Sequence, residues 1–283
     1  MRKYSIKKNW ISSFDVIRRK PALLIPFILI GFCEGIALEI AYFSTRNPLS
    51  HILTPIIRKF FGEQFAHYPG NFLALSGLFY YGQIVIYIVA GAALTAATVN
   101  IFKNLKENLP VKAKAVFKNV SKAYPSFLGY GIIVIICLTL IGKVDDFVFV
   151  KSMRLASRFL PHGILSIAPI LNALLVFLSN LVFQAFVILT VPVIVIKKKR
   201  LFKALLHGIA LSVRNFPAIL GLISLPFLLY YPIIFLKSIS AQLISVTFPE
   251  IAALITGIGI FVSIFVDCFI IVCATRWLLD KEA

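Results

Sequence analysis

Apolar residues in this chain do not alternate with polar ones at the spacing of a strand or of a soluble amphipathic helix; they run on. Six stretches are almost unbroken, covering residues 23–43, 72–99, 127–141, 164–196, 218–235 and 251–275. A hydrocarbon core about 30 Å thick takes roughly 20 helical residues to cross. The pattern therefore predicts six transmembrane helices, and continuous runs argue against a β-barrel, whose strands alternate. The third stretch is the shortest. It stops before Gly142 and Lys143 unless a helix continues through Asp145 and Asp146 into Phe147.

Between the long runs the pattern changes to a helical period. Trp10, Phe14 and Ile17 precede the first run, and Val116, Phe117 and Val120 precede the third. Phe202, Leu205, Leu206, Ile209 and Val213 precede the fifth. Lysines and arginines surround each stripe, as in a helix lying in the headgroup plane or packed beneath a bundle. Each stripe ends in the same phrase, a basic residue three positions before a proline: Arg18 and Pro21, Lys122 and Pro125, Arg214 and Pro217. Proline ends or bends a helix, so the chain can turn there from lying on the membrane to crossing it. The expected fold is all-α, a polytopic helical membrane bundle with cytoplasmic amphipathic helices. It forms one membrane domain over residues 1–283, with a possible threefold hairpin repeat of 1–100, 101–196 and 197–283. The segment after the first run predicts a short interfacial helix around Ile52, Ile56 and Phe60, interrupted by Pro48, Pro55 and Pro69.

Charge orients this arrangement. Of the 29 Lys and Arg residues, 21 fall on the side of the N-terminus and 8 on the other. Basic residues mark the cytoplasmic side, so both termini are expected in the cytoplasm, as in a multi-pass protein of a bacterial inner membrane. The net charge of +18 lies in short loops beside apolar runs. That placement suits an anionic lipid surface and not nucleic acid, which would want a basic domain of its own. Arg18, Lys122 and Arg214 are the candidate interface residues. The first run contains Glu34 and Glu39 and lacks a cleavage pattern, so no removable leader is expected. Cys33, Cys137, Cys268 and Cys273 form no CxxC pair, and the four histidines are scattered. Neither set has metal-ligand spacing, and no cofactor is expected.

Polar groups inside the runs are the remaining candidates for chemistry. Glu34 and Asp267 sit well inside the first and sixth runs, and Glu39 lies nearer the outer end of the first. Asn172, Ser179, Asn180 and Gln184 share one face of the fourth, and Tyr80, Gln83 and Tyr87 one face of the second. A charge at the bilayer centre costs several kcal/mol, so such groups face a cavity or a partner. Two readings follow: a polar intramembrane site for a proton, ion or lipid headgroup, or hydrogen bonding that fixes helix packing. Small residues at Gly91, Ala92, Ala93, Ala96 and Ala97 predict close helix contact at one end of the second run. Asp145 and Asp146 read as a solvated loop pair.

No phosphate loop, nucleophile elbow or zinc-protease motif is present, so enzymatic activity is not expected. The apolar Val191-Pro192-Val193-Ile194-Val195, a polar break at Lys197–Arg200, then Ala204-Leu205-Leu206 through Ser212 and Arg214 resembles a known pattern. It is similar to that of bacterial six-span YciC-like membrane proteins and of the membrane domain attached to some glycerophosphodiester phosphodiesterases. That resemblance implies an amphipathic helix before each hairpin and no hydrolase activity. Two functions are compatible with these residues. One is a non-enzymatic bundle that organises phospholipid, other membrane proteins or copies of itself. The other is a transporter or channel for a small or lipidic substrate, using Glu34, Asp267 and the polar face of the fourth run.

Overall fold

The protein is described by a computed structural model covering residues 5–68, 70–159, 167–239 and 248–282. The expected start of the fourth run at 164, together with His162 and Pro69, lies outside these residues. Among the described residues every regular element is helical. Five helical segments are long and apolar enough to cross a membrane. A sixth is counted only if the pair Leu201–Arg214 and Phe216–Leu228, bent by 94°, is taken as one.

The three proline junctions are built alike locally. Helix α1 (Ile6–Arg19) ends at Lys20, a 3-10 turn covers Pro21–Leu23, and α2 (Ile25–Tyr42) follows. Helix α6 (Ala113–Lys122) gives way to α7 (Tyr124–Phe159), with Pro125 in its first turn. Further along, Leu201–Arg214 gives way to Phe216–Leu228, with Pro217 in the first turn. In a first turn the missing proline N–H would have had no helical acceptor, so the break is placed where it costs least.

The amphipathic helices do not turn a single apolar stripe one way. In α1 the buried face is Asn9, Ser13 and Ile17, while Ile11 and Phe14 are exposed. Asn9 donates to the Cys273 carbonyl at 3.4 Å, and Ser13 donates to Asn9 Oδ1 at 3.1 Å. Polar side chains with partners are cheap to bury, so α1 is a strut packed under the last helix. Phe14, expected in one stripe with Ile17, points elsewhere.

Long apolar segments are interrupted rather than straight. The second run is α4 (Gly70–Ile86), a π-helical turn at Tyr87–Gly91, and α5 (Ala92–Lys106). The third is one 36-residue helix, α7, which passes through Asp145 and Asp146 without a break. The fourth is α8 (Ala168–Val187) and α9 (Thr190–Lys197), broken at Ile188 and Leu189. Helix α10 is Leu201–Arg214. The fifth run splits into α11 (Phe216–Leu228) and α12 (Tyr231–Ser238), and the sixth is α13 (Ile251–Glu282). Between the first two runs, α3 (Ser50–Phe60) continues through Pro55, which was expected to break it. That proline is the sixth of the eleven residues and forfeits one helical hydrogen bond, to the His51 carbonyl.

The core is lopsided. Most buried apolar side chains gather at the end carrying the proline junctions, among them Leu23, Phe27, Ala96, Val99, Phe127, Leu189, Leu222 and Ile270. Among the described residues the other end has a smaller cluster of Ala41, Phe72, Leu75, Phe79 and Ile260. Ala92, Ala96 and Ala97 are buried, as the small-residue pattern predicts. Gly131 takes the same role for α7: a Cβ there would lie 3.1 Å from Ile88 Cα and 3.2 Å from the Tyr87 carbonyl oxygen.

Candidate intramembrane site

Three helix interruptions meet at one place. The π turn, the break at Ile188 and the break before Tyr231 all border a cavity of about 380 Å³ between α2, α5, α7, α8, α11 and α13. A π turn pushes backbone carbonyls out of the regular helical ladder, and side chains take up two of them here. Tyr124 donates its hydroxyl to the Val89 carbonyl at 2.9 Å, and Thr95 donates to the Gly91 carbonyl at 2.8 Å. At the second interruption Tyr130 donates to the Val187 carbonyl at 3.3 Å.

One carboxylate reaches the cavity. Asp267, on α13, is partly exposed to it and accepts a hydrogen bond from the Tyr230 hydroxyl at 2.9 Å. Asn180 and Gln184 line the wall formed by α8. Most of the remaining lining is apolar or aromatic, including Phe27, Phe227, Val134 and Ile234. Among the described residues of this wall there is no Lys, Arg or His.

Glu34 is not part of the wall. It is 1% exposed and accepts from Gln83 Nε2 at 2.6 Å. Tyr87, one turn beyond Gln83, stands between Glu34 and the cavity and interacts with both acids. The second Glu34 oxygen, Oε2, is buried without a hydrogen-bond partner among the described residues. Lys237 of α12 also comes within electrostatic reach of Glu34. Lys237, near the end of the eight-residue α12, thus gives Glu34 a basic neighbour that the apolar run pattern does not reveal.

The other expected site residues separate. Glu39 is exposed on a groove between α2 and α13 with Tyr42 and Phe261. Asn172 lies away from the cavity, and its Oδ1 is buried without a hydrogen-bond partner among the described residues. Ser179, on the same helix as Asn180, donates instead to Asp145 at 2.8 Å. Asp145 is thus no solvated loop residue: it is 5% exposed in α7. Arg18, Lys122 and Arg214 are exposed in the last turns of their helices, where a cation also complements the helix dipole. Tyr130 and Tyr230 were missed as site residues. The signal available for Tyr230 was Pro232 two positions on, inside an apolar run. Among the described residues no group of three or more His, Cys, Asp or Glu could hold a metal ion.

Comparison with protein-family models, with curated proteins and with solved structures returns no match.

Proposed function

We propose that this protein is a six-span membrane transporter, with both termini in the cytoplasm, that binds a small amphipathic molecule in the cavity at Asp267. The observation that carries this reading is the meeting of three helix interruptions at one cavity holding one carboxylate. Non-helical backbone at membrane depth is tolerated where it lines a cavity, and broken helices around a central site are how secondary transporters bind their substrates. A volume of about 380 Å³ falls within the range of small-molecule sites. Interhelical hydrogen bonding alone would not require a void beside the acid.

The test is to fill the cavity from its most peripheral wall. Val134→Trp on α7 should leave the bundle folded and remove a small molecule that co-purifies with the unaltered protein in lipid nanodiscs. Mass spectrometry of extracts from both proteins reads the difference. Identical extracts would count against the reading.

The alternative, a bundle that organises lipid, draws support from a different feature. Helix α10 buries Ala204, Gly208 and Ser212, leaving Phe202, Leu206 and Val213 exposed beside Lys203 and Arg214. An apolar stripe flanked by cations fits an anionic lipid surface. Such a stripe also anchors a transporter, so it does not separate the two.

A further inference from the structure

Tyr130, Tyr230 and Thr95 spend their hydroxyl protons within the wall of the cavity, while the Gln184 amide, also on that wall, has no such bond among the described residues. The Tyr230 hydroxyl is committed to Asp267 and the Tyr130 hydroxyl to the Val187 carbonyl. Thr95 donates to Gly91, and Asn180 Nδ2 donates to the Val176 carbonyl at 2.7 Å. What the wall still offers to a ligand is lone pairs on Asn180 Oδ1, Thr95 Oγ1 and the Asp267 carboxylate, beside amide N–H groups of Gln184 and Asn180. The tyrosines, with their hydroxyls engaged, present rings. Phe27, Tyr87, Tyr130, Phe227 and Tyr230 place five aromatic rings around a wall whose one charged lining residue is Asp267.

From this lining we infer that the ligand is an organic ammonium, a primary or secondary amine in its charged form carrying an apolar group about the size of one ring. An ammonium donates to these acceptors and carries the charge opposite to that of Asp267. Its charge is answered by Asp267 and by ring faces, which attract cations most strongly where water is excluded. A carboxylate or phosphate would meet an acidic wall with no described basic residue on it, and a hydrocarbon would leave the Asp267 carboxylate without an opposite charge. Glu34, behind Tyr87, already has Gln83 and the nearby Lys237, so Asp267 is the acid left for the ligand.

This inference rests on the cavity being a ligand site, and the experiment separates the two ideas. Phenethylamine, phenethyl alcohol and phenylacetate have similar shapes and differ in charge. Their binding to the protein in nanodiscs is measured by calorimetry against protein-free discs. The expected order is amine, then alcohol, then carboxylate. Asp267→Asn, which keeps an oxygen for Tyr230, should weaken the amine about 10- to 100-fold and the alcohol little. Val134→Trp should abolish all three. An alcohol bound as tightly as the amine, or a preferred carboxylate, overturns the ammonium assignment whether or not Asp267→Asn folds. If none of the three binds while Val134→Trp still removes a co-purifying compound, the cavity is a ligand site and the ammonium assignment is wrong. If neither effect appears, both ideas fall.

Discussion

Trp10 donates its indole N–H to the carbonyl oxygen of Leu222 at 2.7 Å. In an unbroken helix that carbonyl would accept from residue 226, which is a proline with no N–H to give. The strut helix α1 therefore completes the hydrogen bonding of α11 at Leu222, seven residues before the Leu229–Tyr230 break begins. The relationship joins the beginning of the chain to the segment that carries Tyr230 into the cavity.

Trp10→Phe should accordingly cost about 1–3 kcal/mol, since it leaves a buried carbonyl unpaired as well as losing one contact. Pro226→Ala in the same background should recover part of that loss by restoring a helical donor. Unfolding midpoints of the single and double variants form the cycle that checks this. Equal losses in both backgrounds would show that the indole acts through packing alone.

Glu34→Gln should fold and hold its structure, because an amide oxygen can still accept from Gln83. Glu34→Leu should destabilise by about 2 kcal/mol by orphaning the buried Gln83 amide. Thermal unfolding in one detergent distinguishes them. If Gln and Leu are equally tolerated, the Gln83 contact contributes nothing to the fold.

Gly131→Ala should force α7 away from the π turn, at a cost of roughly 1–3 kcal/mol. Gly142→Ala on the same helix meets nothing within 4 Å, and should be neutral or stabilise by up to about 1 kcal/mol through helix propensity. A similar response at both positions would remove the argument for close packing at Tyr87 and Ile88.

The proposed topology is tested by single cysteines in a background lacking the four native ones. Lys114→Cys and Lys203→Cys should resist an impermeant maleimide added to intact cells, and Arg58→Cys should react. External labelling at 114 or 203 would invert or break the six-span assignment.

Much of the helical layout was legible because it follows from run length and from the three prolines. Asp267, Asn180 and Gln184 could be nominated for the same reason that they share a site: polar groups in apolar helices need somewhere to face. What periodicity could not give was the register of breaks. A π turn at Tyr87–Gly91 adds no polar residue and so leaves no mark on the apolar pattern. Tyr230 read as one more aromatic in a run, because its importance comes from the break beside it. Gly142 and Lys143 left open whether the third helix runs on through Asp145, and the acidic doublet read as solvated, yet Asp145 is buried within α7. Its partner, Ser179, is 34 residues away and only the fold brings it near. The same holds for Lys237, whose reach to Glu34 depends on how short α12 is.

The uneven core has a mechanical consequence. Lipid tails are as apolar as the side chains they would replace, so parting two helices inside a bilayer forfeits mainly close packing and polar contacts. At the end where Leu23, Leu189, Leu222 and Ile270 interlock, that forfeit is large, and the Leu23 carbonyl is further held by Thr98 and Cys268. At the other end, among the described residues, it concerns the smaller cluster around Phe72 and Phe79. Among the described residues, then, the forfeit is concentrated beneath the cavity, where the first and last helices of the chain close the bundle.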